Sequence, residues 1–114
     1  MNLDEIIQEL DLTLLTGPKH FATITPSNGY ASDLLSCVMA GAGENGIWVT
    51  LQAHANVVAV AALIGMAAVI ITENAQPDEA TIAKANEENI TLLSTPEPTY
   101  HIVGKLWDMG IKAA

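Results

Sequence analysis

Apolar residues recur along this chain at helical spacing in some stretches and as short unbroken runs in others, and turn-forming residues separate the two. Leu3, Ile6, Ile7 and Leu10 share one helical face. Asn2 and Glu5 stand before them at the spacing of a capping box, which predicts a short amphipathic first helix. Two short strands are expected next. Leu12 to Thr16 is rich in β-formers and stops at Gly17-Pro18, and Phe21 to Thr25 runs into the turn signal Pro26-Ser27-Asn28-Gly29.

From Ser32 onward helix and strand patterns alternate. Ser32 reads as the N-cap of a helix through Ala40, with Leu34, Leu35, Val38 and Met39 inward and Gly41 and Gly43 ending it. Ile47 to Leu51 is the third predicted strand. Asn56 is placed to cap a helix from Val57 through Leu63, Gly65 breaks the pattern, and Ala67 to Thr72 is a strand rich in β-branched residues. Because both pieces are apolar on all sides, they are expected at the centre of the fold, covered on more than one side. A fourth helix is bracketed by Pro77 at its first position, Asp78 and Glu79 in its first turn, and Asn89 as a left-handed C-cap. Thr91 to Ser94 is the last strand. A final helix begins near Thr99 and turns Ile102, Val103, Leu106 and Ile111 inward, with Lys105 and Lys112 toward its negative end.

Strands separated by helices pair in parallel through right-handed crossovers. The expected fold is therefore α/β: a layered sandwich with a mostly parallel sheet of about four to five strands flanked by helices, mixed if the N-terminal strands join it. At 114 residues the chain is expected to form a single domain over 1–114.

Composition narrows the function. Half the residues are hydrophobic and the mean hydropathy is +0.32, a surplus that a short chain has trouble hiding and that suggests burial between two copies, a homodimer. Thirteen acidic residues against four lysines and no arginine give a net charge of −9. That balance argues against nucleic acid and anionic membrane surfaces as partners. The longest apolar run, Val57 to Ile71, is shorter than the ~18 residues that mark a spanning helix, and the N-terminus is acidic where a secretory signal is basic, so a cytoplasmic location is expected. Cys37 is the only cysteine, which rules out an intrachain disulfide and a multi-cysteine zinc site.

The chemical motifs are few. Gly41-Ala42-Gly43-Glu44-Asn45-Gly46 has the letters of a dinucleotide fingerprint, but it leaves a helix and enters a strand, so no helix amino terminus faces a pyrophosphate and it reads as a turn. His20, His54 and His101 lie far apart, without ligand spacing, so no metal or other cofactor is expected. No nucleophile, base and orienting group stand at interpretable spacing, and the chain is read as non-catalytic. His54 lies between Gln52 and Asn56 just past the carboxyl end of a predicted central strand, where α/β folds place ligands. The polar loops Thr72 to Pro77 and Ser94 to Thr99 occupy the same edge. Gln52, His54, Asn56, Thr72, Glu73 and Thr95 are accordingly the candidate ligand-binding residues; the plainer alternative is that Asn56 caps a helix and its neighbours are merely solvated. Tyr100, Val103 and Trp107 share a stripe of the last helix, either core or subunit interface.

Several segments carry a family likeness. They are Gly29-Tyr30-Ala31-Ser32-Asp33-Leu34-Leu35-Ser36, Ile47-Trp48-Val49-Thr50-Leu51-Gln52, Asn56-Val57-Val58-Ala59-Val60-Ala61, Ile70-Ile71-Thr72-Glu73 with Pro77-Asp78, and Thr99-Tyr100. In them the chain resembles the DRTGG domain family, related to the N-terminal domain of HPr serine kinase/phosphatase. The resemblance implies an HPr kinase N-terminal-domain-like fold and a non-catalytic regulatory or ligand-sensing role with a small-molecule ligand. It also implies service as an accessory to a redox or signalling system, with a redox enzyme or kinase-like ATPase as protein partner. The signature Asp-Arg-Thr-Gly-Gly is replaced here by Gln52-Ala53-His54-Ala55-Asn56, which removes its arginine and glycines. The alternative role is a purely structural accessory, homo-oligomeric or docked on an enzyme, with no small ligand.

Overall fold

The computed structural model describes residues 1–114. Capping sets where three of its five helices begin. Asn2 and Glu5 form the reciprocal capping box of α1 (Leu3–Glu9), as their spacing predicts. The Asp78 carboxylate opens α4 (Glu79–Glu87), which starts two residues later than a start at Pro77. His54, not Asn56, opens α3 (Ala55–Ile64): its Nδ1 accepts the Asn56 backbone N–H at 3.1 Å, so the helix starts two residues earlier than expected. Gly65 ends that helix in the left-handed conformation, at φ 81°. The remaining helices are α2 (Leu35–Gly41) and α5 (Thr99–Asp108).

The strands are β1 (Thr13–Leu14), β2 (Asn28–Ala31), β3 (Gly46–Thr50), β4 (Ala68–Ile71) and β5 (Leu92–Ser94), in the spatial order β1-β5-β4-β3-β2. Strands β2 to β5 run parallel, with Ile47 beside Ala68 and Val69 beside Leu92. β1 is antiparallel to β5 and makes the sheet mixed. β3, β4 and β5 are buried along their whole length, as a parallel sheet covered on both faces requires. One core layer joins Ile47, Val49, Ile70 and Leu93 to α1 and α5 through Leu3, Ile6, Ile102 and Leu106. The other joins Trp48, Val69 and Leu92 to Val38, Val57, Val58 and Ala85.

Four expectations require correction. Phe21 to Thr25 is not a strand: Phe21–Thr23 is one turn of 3-10 helix, which drops Phe21 into the core beneath α1. The second strand lies in the supposed turn, at Asn28–Ala31. Gly46 has no side chain and lets Asn28 pack closely, and the Asn28 Nδ2 donates to the Glu44 carbonyl at 3.2 Å. Ser32 does not cap α2; Leu34 holds that position without a side-chain bond, and Leu34 and Met39 are exposed because only Val38 of α2 is deeply buried. α3 is covered on one side only, since Ala59 and Leu63 face solvent. On the far side of β2 the chain's last residues run parallel to it, Gly29 pairing with Ala113.

Candidate functional site

Because four strands run the same way, the loops that follow β3, β4 and β5 emerge on one edge of the sheet, and they are tied to one another there. Thr72 N–H donates to the Thr50 carbonyl at 2.9 Å, Thr95 N–H to Ile71 at 3.0 Å, Glu73 N–H to Glu97 at 2.9 Å and Asn74 N–H to Thr95 at 3.1 Å. The Thr72 and Thr99 hydroxyls share a hydrogen 2.5 Å apart. Asp33, which follows β2, joins the group: its Oδ1 accepts from the Thr50 hydroxyl and from Leu51 N–H, each at 2.8 Å.

The six candidate residues divide into two sets. Thr72 and Thr95 are buried, and the Thr95 hydroxyl accepts from Glu97 N–H at 3.1 Å. Glu73 accepts Thr99 N–H at 2.8 Å, which places a carboxylate on the first turn of α5. These three build the loops. Gln52, His54 and Asn56 lie in the neighbouring loop and first turn of α3 with their side chains exposed. The His54 Nδ1 is taken up by the Asn56 N–H, which leaves Nε2 as the ring atom facing outward for a ligand.

Electrostatically the edge is acidic. Asp33, Glu73, Asp78 and Glu97 stand along it, whereas Lys84 and Lys105 belong to the last turns of their helices and Lys19 donates to the Asn89 carbonyl beyond α4. Hydrogen bonding from Thr81, by its side chain and its backbone N–H, holds the Asp78 carboxyl below its ordinary 3.8, with a smaller contribution from His54. The anion seats at the amino ends of α4 and α5 are thus filled by the chain's own Asp78 and Glu73. No three His, Cys, Asp or Glu side chains gather as a metal site, and no helix is long and apolar enough to cross a membrane.

Two features were not anticipated from the sequence. One is Asp33, whose part depends on β2 lying beside β3. The other is an apolar hollow of about 200 Å³ between β2 and α5, lined among others by Gly29, Ala31, Val49, Val103, Trp107 and Lys112. The alternation of small residues at 29 and 31 was the available signal, hidden by the reading of Asn28-Gly29 as a turn.

The fold and this linked loop edge define a small α/β module built around a parallel sheet. Residues 36–109 match the DRTGG domain model, and the chain belongs to the DRTGG domain family. Its structure is similar to the CBS and DRTGG domains of the regulatory region of Clostridium perfringens pyrophosphatase, solved with the activator diadenosine tetraphosphate. The TM-score is 0.73 at 18% identity, over 90% of this chain and 44% of that one. The likeness is one of fold, and this chain spans less than half of that protein's solved length. No curated protein is a significant match.

Proposed function

We propose that this chain is a non-catalytic regulatory module that senses a small molecule and passes its bound state to a protein partner in a redox or signalling system of the cytoplasm. The observation that carries the reading is the linked loop edge in a member of this family. Ligands of open α/β sheets bind outside the strand carboxyl ends. Here Thr72, Glu73 and Thr95 fix the loops, while Gln52, His54 and Asn56 present free polar groups beside them. The solved pyrophosphatase regulatory region, complexed with a nucleotide activator, makes adenine nucleotides the first compounds to try.

A thermal-shift screen of diadenosine tetraphosphate, mononucleotides and redox metabolites tests it. A ligand at 100 times its dissociation constant stabilises by ~2.7 kcal/mol, or roughly 10 °C for a domain of this size. The double variant Gln52→Ala/Asn56→Ala is expected to reduce the shift. A flat response to every compound overturns ligand sensing.

One observation favours the structural alternative: Tyr100, Trp107 and Leu63 are 88, 50 and 71% exposed. Light scattering after gel filtration decides whether two copies associate through such surfaces, and a monomer at every concentration removes the homodimer.

A further inference from the structure

The hollow between β2 and α5 follows from two adjacent choices in the sequence. β2 pairs Gly29 with Ile47, Tyr30 with Trp48 and Ala31 with Val49. Side chains alternate across a strand, so Gly29 and Ala31 face α5 with Ile47 and Val49, while Tyr30 turns to the opposite face and packs on Gly41 of α2. The edge strand therefore offers the helix almost no side chain. α5 cannot settle inward to compensate, because Ile102 and Leu106 are already seated in the core, 1 and 3% exposed. A gap of about 200 Å³ is left.

Its mouth carries an aromatic ring and a cation. Trp107 is half exposed, and Lys112 Nζ lies 4.5 Å from the ring centroid while donating to the Trp107 carbonyl at 3.0 Å. No carboxylate lines the hollow, although the chain has thirteen acidic residues against four lysines. The volume is below the ~300–1,000 Å³ of sites for drug-sized ligands, and it suits a single ring system.

We infer that this hollow is a binding site for a flat aromatic anion, with its ring against Val49, Val103 and Trp107 and its phosphate or carboxylate at the Lys112 ammonium. An indole beside an apolar floor favours an aromatic guest, and a lysine at the mouth supplies a mobile point charge for an anion. The loop edge is less suited to the same guest: it carries four carboxylates, and two of its helix amino ends are already capped by Asp78 and Glu73. The inference goes beyond the regulatory reading: it assigns a second small-ligand site, on a different surface from Gln52, His54 and Asn56.

The two tryptophans make the test direct. Trp48 is fully buried and its Nε1 donates to the Ser32 carbonyl at 2.9 Å, so its indole signal in a proton–nitrogen NMR spectrum reports the fold. Trp107 reports the hollow. AMP and indole-3-acetate are the anionic probes, with adenosine and indole-3-acetamide as neutral counterparts. At least one anion is expected to move the Trp107 signal saturably and leave Trp48 in place, with its neutral counterpart binding about tenfold more weakly. The comparison of each anion with its own neutral counterpart isolates the contribution of its phosphate or carboxylate. Lys112→Gln, at an exposed position, should abolish the preference for the charged probe, and Ala31→Leu should fill the hollow and abolish the response.

Silence of Trp107 toward both anions overturns the site. So does an equal response to charged and neutral probes, or undiminished binding by Ala31→Leu with an unshifted Trp48 signal. If Ala31→Leu disturbs Trp48, the Lys112→Gln comparison decides. A Trp107 signal that moves with protein concentration alone assigns the hollow to a second copy and also overturns it. A ligand from the thermal-shift screen that stabilises wild type and Ala31→Leu equally binds away from the hollow, so the loop-edge reading stands even where a silent Trp107 overturns this site.

Discussion

Asp78 ends one loop and starts one helix with a single carboxylate. Its Oδ1 accepts Thr81 N–H at 2.8 Å, and its charge lies at the positive end of α4. The native carboxyl is held below its ordinary 3.8, so the folded state favours the ionised form. The stability this gives is fully present above the unfolded value and disappears as pH falls through the lower native one. Asp78→Ala is therefore expected to lower the melting temperature near neutral pH, and the gap between wild type and variant should close as the pH is taken below 3.8. Melting curves across acidic pH check this; a gap that stays constant to the lowest pH would exclude the charge as its source. Asp78 was legible as a first-turn acid because it follows Pro77 before a helical pattern. The cap of α3 was not legible, because Gln52-Ala53-His54-Ala55-Asn56 offers three side chains able to accept a backbone N–H, and only the path of the loop selects His54.

Elements differ in how firmly local sequence dictates them. β3, β4 and β5 are short apolar runs buried on both faces, and the helices between them carry start or stop signals at Asp78, Gly65 and Asn89, so their order and type could be read directly. β2 could not, because turn-forming residues dominate its sequence and its extended form depends on pairing with Gly46-Ile47 across a distant loop. Missing β2 also hid the exposed side of α2 and the hollow under α5. Two glycines test this picture in opposite directions. A Cβ at Gly46 would run into the Asn28 amide and come within 2.9 Å of the Gly43 carbonyl, so Gly46→Ala should cost about 1–3 kcal/mol. Gly104, within α5, has nothing within 4 Å of an added Cβ, so Gly104→Ala should stabilise by about 0.5–1 kcal/mol. Urea denaturation of both variants measures the pair. Destabilisation by Gly104→Ala would mean that the exposed face of α5 is less open than its geometry implies.

At the scale of the whole molecule, parallel strands made the convergence of three loops readable, since every strand of a parallel sheet delivers its carboxyl end to the same edge. The hydrogen bonds that then consume most of those loops' polar groups depend on spatial neighbours such as Thr72 and Thr99, 27 residues apart, and no local pattern announces them. Charge is the other global property. Thirteen carboxylates surround a core with four lysines to offset them, and two of the lysines, Lys19 and Lys112, donate to backbone carbonyls. Salt therefore has much repulsion to screen and few attractive pairs to weaken. The melting temperature near neutral pH is expected to rise as sodium chloride is added from low ionic strength, and to do so most steeply over the first ~0.15 M, where the screening length contracts toward ~8 Å. Replacing Lys19 or Lys112 by Gln should leave that salt response intact, because neither ammonium relies on a carboxylate. A melting temperature that falls with salt would require attractive charge pairs to outweigh the repulsion implied by a net charge of −9.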